Sequence, residues 1–333
     1  MQQPVAPEPA IKPLKPALLV VALLCAAPAA ADDAYPAKPI RILVGFSPGG
    51  GTDIMARIVA PRMSERLGQP VIVENRPGAG GNLATEAVVK SAPDGYTLLM
   101  GTIAALAINP SLYKNLPFDP VKDLAPISLG VSLANVVVVN SSLTAKTLPE
   151  LIALAKQQPG KISYSSSGNG TAGHLSGALF ESMANVSLLH VPYKSGGQAM
   201  TDLIGGQVNM SFAAAPGALP QIKAGKIRAL AVTTRGRSAF LPDVPTVAEA
   251  SGITGYESSN WYGLVGPARL PKPIVDKLNS AMVATLNEAA VREKLALQGL
   301  EATPSSPEEF SAFLRAEIAK WAKVVKDTGS QPD

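Results

Sequence analysis

Beyond residue 39 the chain repeats one pattern: a short run rich in Ile and Val, a glycine turn, then apolar residues at helical spacing. Such alternation dictates a parallel sheet with crossover helices, because parallel neighbours need a long connection that covers the face of the sheet. Ile40 to Phe46 reads as a strand, Ser47 to Gly51 as a turn, and Asp53 to Leu67 as a helix. Ile54, Ile58, Val59, Met63 and Leu67 form its apolar stripe, and Gly68 stops it. A strand at Val71 to Val73, a glycine turn from Pro77 to Gly81, a helix from Leu83 to Val89 and a strand from Thr97 to Met100 complete a βαβαβ unit.

The stretch Asn109 to Pro126 breaks the pattern with Pro110, Pro117, Pro120 and Pro126, which places a crossing into a second lobe there. Further strands are predicted at Ile127 to Val131, Val136 to Val139, Ile162 to Ser165, Leu188 to Val191, Val208 to Phe212 and Ile227 to Thr233. Thr147 and Glu150 have capping-box spacing and open a helix that ends before Gly160. The glycine turn Gly168 to Gly173 leads into a helix reaching about Asn185, and another helix lies around Met200 to Ile204. Trp261 to Val265 reads as a return strand; Ile274 to Leu286, Val291 to Leu297 and Phe310 to Val325 are helical by periodicity and are expected to pack on the first lobe. The expected division is 32–133 with 254–333 as lobe 1 and 134–253 as lobe 2.

The N-terminus reads differently. Lys12 and Lys15 precede an apolar run from Ala17 to Ala27, and Ala29, Ala30 and Ala31 follow as small residues. That is the order of a secretory signal cleaved after Ala31, and the run is too short for a membrane span, which takes about 20 apolar residues. Cys25, the single cysteine, leaves with residues 1–31, so the exported chain has no disulfide, no thiol nucleophile and no cysteine-based metal site. Leu24 stands before Cys25, where a lipoprotein signal wants a small residue. The 29 basic and 25 acidic residues form no basic block for nucleic acid, and with 5% aromatics there are few platforms for stacking bases or sugars.

Several motifs fail on their chemistry. Gly45-Phe46-Ser47-Pro48-Gly49 matches the nucleophile elbow of hydrolases, but an oxyanion hole needs the amide after the serine, and Pro48 has none. Gly168-Asn169-Gly170-Thr171-Ala172-Gly173 matches a dinucleotide fingerprint, yet no acid stands near Val191-Pro192-Tyr193, where the ribose would need one. Neither turn ends in the Gly-Lys-Ser/Thr of a phosphate loop, and His174 and His190 come with no metal-ligand spacing. The reading is therefore no cofactor and no metal, with Ser47 a poor candidate nucleophile. The two histidines read as hydrogen-bonded structure or as support for a binding loop. Two small-residue turns remain, Ser47 to Asp53 and Ser165 to His174, each presenting unpaired amides at a helix start. Falling in different lobes, they could hold a ligand with anionic or polar ends between them. Asp53 itself reads mainly as a helix cap, Trp261 and Tyr262 as hinge packing more than ligand stacking, though a cleft edge would allow both, and Arg76 to Asn82 as a third cleft loop or a plain turn.

At this point the sequence resembles the substrate-binding proteins of tripartite tricarboxylate transporters, the Bordetella-uptake-gene family. The matching stretches are Tyr35-Pro36-Ala37-Lys38-Pro39-Ile40, Gly45 through Asp53, Val73 through Gly81, Pro93-Asp94-Gly95-Tyr96-Thr97-Leu98, His190-Val191-Pro192-Tyr193-Lys194, Leu230-Ala231-Val232-Thr233 and Pro242-Asp243-Val244-Pro245-Thr246. The resemblance implies an α/β, two-lobed periplasmic binding fold of type II with two interlobe crossings. It implies a monomeric periplasmic receptor that closes on a small organic acid and hands it to the membrane subunits of its transporter. Carried over by position, Phe46, Ser47, Gly50, Thr52 and Asp53 would serve one side of the ligand, and Ser166, Ser167, Gly168, Thr171 and His174 the other. The family's common Tyr-Lys-Gly-Gly appears here as Tyr193-Lys194-Ser195-Gly196-Gly197, with serine in place of the first glycine. The competing expectations are an exported hydrolase using Ser47 and an orphan sensory receptor for a carboxylate.

Overall fold

The computed structural model describes residues 1–6 and 35–332, so residues 7–31 of the expected signal, Cys25 among them, lie outside the described residues. From Tyr35 onward the chain forms one compact unit. It opens with β1 (Ile40–Val44), α1 (Gly51–Leu67), β2 (Val71–Asn75), α2 (Asn82–Val89) and β3 (Thr97–Thr102). β1 pairs in parallel with both β2 and β3, the expected βαβαβ unit. Gly68 ends α1 in the left-handed conformation read from the sequence. A π-helical turn over Ala104–Ile108 and the short α3 (Asn109–Leu112) occupy the start of the proline-rich crossing.

The two strands expected at 127–131 and 136–139 are one 17-residue strand, β4 (Leu124–Asn140). The elements after it are α4 (Leu148–Gln157), β5 (Ser163–Ser166), α5 (Ala172–Ala184), β6 (Leu189–Pro192), α6 (Gly196–Ile204), β7 (Met210–Ala214), α7 (Ala215–Lys223), β8 (Ile227–Val232) and α8 (Val247–Ser251). The chain returns through β9 (Ser259–Pro267), α9 (Lys272–Asn287), α10 (Ala289–Leu297), β10 (Glu301–Ala302) and α11 (Pro307–Thr328). β4 joins the two halves. From Leu124 to Ala134 it runs antiparallel to β9, and from Asn135 to Val139 it lies between β7 and β8. β9 also pairs with β3, and β5 pairs in parallel with β6 and β7.

Most of the buried apolar side chains follow the same partition, but the cluster around α11 also takes in Ala172 and Leu175 of α5 and so spans both halves. One cluster fills one side of the β1–β3 and β9 sheet under α1 and α9, and a second packs α11 through Phe310, Leu314 and Trp321 against Leu43, Leu99 and Trp261. Two more, around Phe180 and Phe212 and around Leu203 and Leu219, belong to the half built from β4 through α8. The C-terminal helices α9 and α11 pack on the β1–β3 and β9 sheet, and α11 also meets α5. At α4, Thr147 accepts from the Glu150 amide, but the Glu150 carboxylate reaches the Lys146 amide at 2.7 Å instead of closing a full box. Complete boxes stand at Thr246 with Glu249 and at Ser306 with Glu309.

Candidate functional site

A cavity of about 370 Å³ opens where the first turns of four helices converge: Gly51 and Thr52 of α1, Ala172 and Gly173 of α5, Gly196 and Gly197 of α6, and Pro216 and Gly217 of α7. No Asp, Glu, Lys, Arg or His is in its lining. The first amides of a helix have no partner within it, and the macrodipole places about half a positive charge there. Four such ends border one hollow without a charged side chain, an arrangement able to present main-chain donors to an anion, with the side chains of Ser47, Thr52, Ser166, Ser167 and Thr171 in the lining; the Ser166 and Thr171 hydroxyls both lie on the Gly168 carbonyl.

Of the residues expected from the sequence, Phe46, Ser47, Gly50, Thr52, Ser166, Ser167 and Thr171 are in the lining. Asp53, Gly168 and His174 are not; they stand behind it. Asp53 is 3% exposed and accepts from the Gly49 amide at 2.9 Å, from Arg57 Nε at 2.9 Å and from Asn75 Nδ2 at 2.8 Å. Burial works against its charge, but the Arg57, Gly49 and Asn75 hydrogen bonds prevail and hold its carboxyl below the usual range. It fixes the first turn from the third helical position rather than capping α1, whose N-cap is Gly50. The carbonyl of Gly168 accepts from Thr171 Oγ1 at 2.6 Å. The segment Arg76 to Asn82 contributes nothing to the lining.

On the floor of the cavity the sequence marks only Tyr262, expected mainly as hinge packing, and gives no sign of Asn135 or Asn260. Asn135, at the point where β4 passes from one sheet to the other, and Asn260 and Tyr262, on the returning β9, all line it. Asn135 donates to Ser176 Oγ at 3.0 Å, and Ser176 Oγ lies 2.6 Å from Ser258 Oγ. Thr233 Oγ1 donates within reach of the carbonyls of Asn135 and Ser258, at 3.1 and 2.8 Å. Both connections between the halves are therefore tied into one buried polar network directly under the cavity. The Tyr262 hydroxyl bonds the Thr52 and Asn260 side chains, and burial, the larger influence, pushes its pKa up to about 12. The start of α7 was missed too, because Pro216, Gly217 and Pro220 read as loop residues.

Behind the second turn, the rings of His174 and His190 stack at 4.3 Å and 15°. His190 Nε2 lies 2.7 Å from Ser166 Oγ, a nucleophile–base distance. Burial first, and the neighbouring His174 second, push the His190 imidazole down to about 3, which makes it a poor general base. No described carboxylate bonds its ring, and Ser47 has no histidine partner either. Among the described residues no group of three His, Cys, Asp or Glu is placed to hold a metal ion, and no helix is long and apolar enough to cross a membrane.

Residues 55–330 match the model of the tripartite tricarboxylate transporter family receptor. The chain is 39% identical to protein BugT of Bordetella pertussis over 92% of this chain and 94% of that one. Among solved structures, the R. palustris protein Rpa4515 with adipate superposes with a TM-score of 0.87 at 37% identity, covering 90% of this chain and 100% of the other. MatC of Rhodopseudomonas palustris with bound malate gives 0.83 at 31% identity, over 87% of this chain and 100% of the other.

Proposed function

The chain belongs to the tripartite tricarboxylate transporter receptor family, and on that premise we propose that it is a monomeric periplasmic receptor. It takes a small organic acid between its lobes and delivers it to the membrane subunits of a tripartite carrier. It performs no chemistry on the acid. The observation that carries this reading is the convergence of four helix starts on a cavity without a charged side chain. Relatives of similar fold hold adipate and malate, which supports an aliphatic carboxylate as the class.

In this reading lobe 1 is 32–133 with 254–333 and lobe 2 is 134–253, with the crossings at the β4 and β9 network described above. Phe46, Ser47, Gly50 and Thr52 meet the acid from one side and Ser166, Ser167 and Thr171 from the other, while Asp53, Gly168 and His174 hold those turns in shape. The energies suffice: charge-assisted hydrogen bonds contribute about 1.5 to 3 kcal/mol each and micromolar affinity needs about 8 kcal/mol, so four to six contacts meet it after ordering costs. Titration calorimetry with adipate and malate tests the assignment. Binding with one site per chain supports it, and an inert protein toward every carboxylate tried, with binding of a neutral solute instead, would refute it.

A further inference from the structure

We infer that the stacked His174–His190 pair is a positioning element for the second turn, holding Ser166 and Gly170, and through them the start of α5, in the shape that grips a carboxylate. The inference rests on the receptor reading but concerns two side chains that touch no ligand in it. The Gly170 amide donates to His174 Nδ1 at 3.1 Å, so that nitrogen carries no proton. His190 Nε2 meets Ser166 Oγ at 2.7 Å. Ser166 Oγ also faces the amide and the carbonyl of Gly168, both at 3.1 Å. One proton assignment satisfies all three contacts of Ser166: His190 donates from Nε2, the Gly168 amide donates to Oγ, and the hydroxyl proton goes to the Gly168 carbonyl.

The rings themselves are fixed from both sides. Tyr164 of β5 covers the other face of His190 at 4.7 Å and 28°, giving a three-ring stack from β5 through β6 to α5. The two ends of the turn, Ser166 leaving β5 and Gly170 entering α5, are thereby tied to one rigid body. This matters because Gly170 is held at a φ of 74° with its Cα against Asn109, whose carboxamide a Cβ at that position would overlap. Ala172 and Gly173, both in the cavity lining, follow two and three residues later. A turn free to relax would point them elsewhere.

The test separates bond-making from mere space-filling. In His174→Asn the Asn Oδ1 sits at the same number of bonds from Cβ as Nδ1 and can accept from Gly170; His174→Leu fills space without an acceptor. His190→Gln keeps a donor at the Nε2 position, and His190→Met does not. With adipate as the probe in titration calorimetry, the Asn and Gln variants should stay within about threefold of the wild type, and the Leu and Met variants should lose about tenfold, the loss of one hydrogen bond's worth of affinity. Equal affinity of the Leu and Asn variants, or of the Met and Gln variants, overturns the proposal. A second measurement needs neither ligand nor mutation: ¹⁵N spectra of the imidazoles at pH 7 should show both rings neutral and protonated at Nε2. A proton on His174 Nδ1 overturns the proposal even if a Leu variant fails to fold. If the wild type takes up no adipate, adipate is removed from the receptor reading, and the ¹⁵N spectra alone decide the pair.

Discussion

Gly51, at the start of α1, lies so close to Tyr262 of β9 that a Cβ on it would stand 2.7 Å from the tyrosine hydroxyl and 3.2 Å from Pro216 of α7. Three segments distant in sequence meet there, at the rim of the cavity, and only a glycine fits. Gly51→Ala should force Tyr262 aside or part α1 from α7, costing about 1 to 3 kcal/mol of stability and weakening acid binding. Urea denaturation and calorimetry on the variant check both; wild-type behaviour in each would mean that the contact is slack.

The second prediction concerns Glu317. Its Oε2 accepts from Trp261 Nε1 at 2.9 Å and from Trp321 Nε1 at 3.1 Å, fastening α11 to β9. These are the only two tryptophans of the chain. Glu317→Leu strands two buried indole donors and should cost about 2 to 4 kcal/mol, with tryptophan emission reporting the change directly. Unaltered emission and an unaltered urea midpoint would contradict it.

How much of this was legible in the sequence differs element by element. The strand–turn–helix starts of α1 and α5 were readable because each glycine-rich turn stands between a short extended run and residues at helical spacing, although β5 itself is Ser-Tyr-Ser-Ser and not an Ile/Val run. β4 was read as two strands because Ser132 and Asn135 interrupt the apolar stretches at 127–131 and 136–139, yet Ser132, Leu133 and Ala134 pair with β9 in unbroken register; a local pattern cannot show that long-range pairing. α7 was invisible because Ala215 to Pro220 carries a Gly and two Pro, and Pro216 is tolerated only as it falls in the first turn. Asn135, Asn260 and Tyr262 are single residues on strands, meeting in space through the pairing of β4 with β9, and no local signal marks such a meeting.

Acid should destabilise the fold through His190. Its pKa falls from an ordinary 6.5 unfolded to about 3 folded, so below pH 6.5 the unfolded chain binds the extra proton. The native state thus keeps its full advantage above that value and loses it as pH drops toward the folded pKa, about 1 to 2 kcal/mol by pH 5. His190→Gln should flatten this part of the stability profile in urea titrations at pH 5 and pH 7; a profile as steep as the wild type's would count against the assignment.

Lobe closure is the fourth expectation. Gly170 nests against Asn109, a contact between the segments proposed as the two lobes, and Gly299 likewise meets Leu219 of α7 at a separation that leaves a Cβ 2.5 Å from that side chain. Gly170→Ala should hold the lobes apart, so that small-angle scattering with saturating adipate gives a larger radius of gyration than the wild type. Superimposable profiles would show that this contact does not limit closure.

The most direct test of the central claim is a thermal-shift panel that sets each small carboxylic acid beside its amide, a pair that differs in charge and little in shape. If helix starts and hydroxyls grip an anion, at least one acid at about a hundredfold its Kd should stabilise the native state by about 2.7 kcal/mol, while its amide leaves the melting temperature unchanged. An amide or a neutral sugar that shifts the protein as far as any acid would contradict the account.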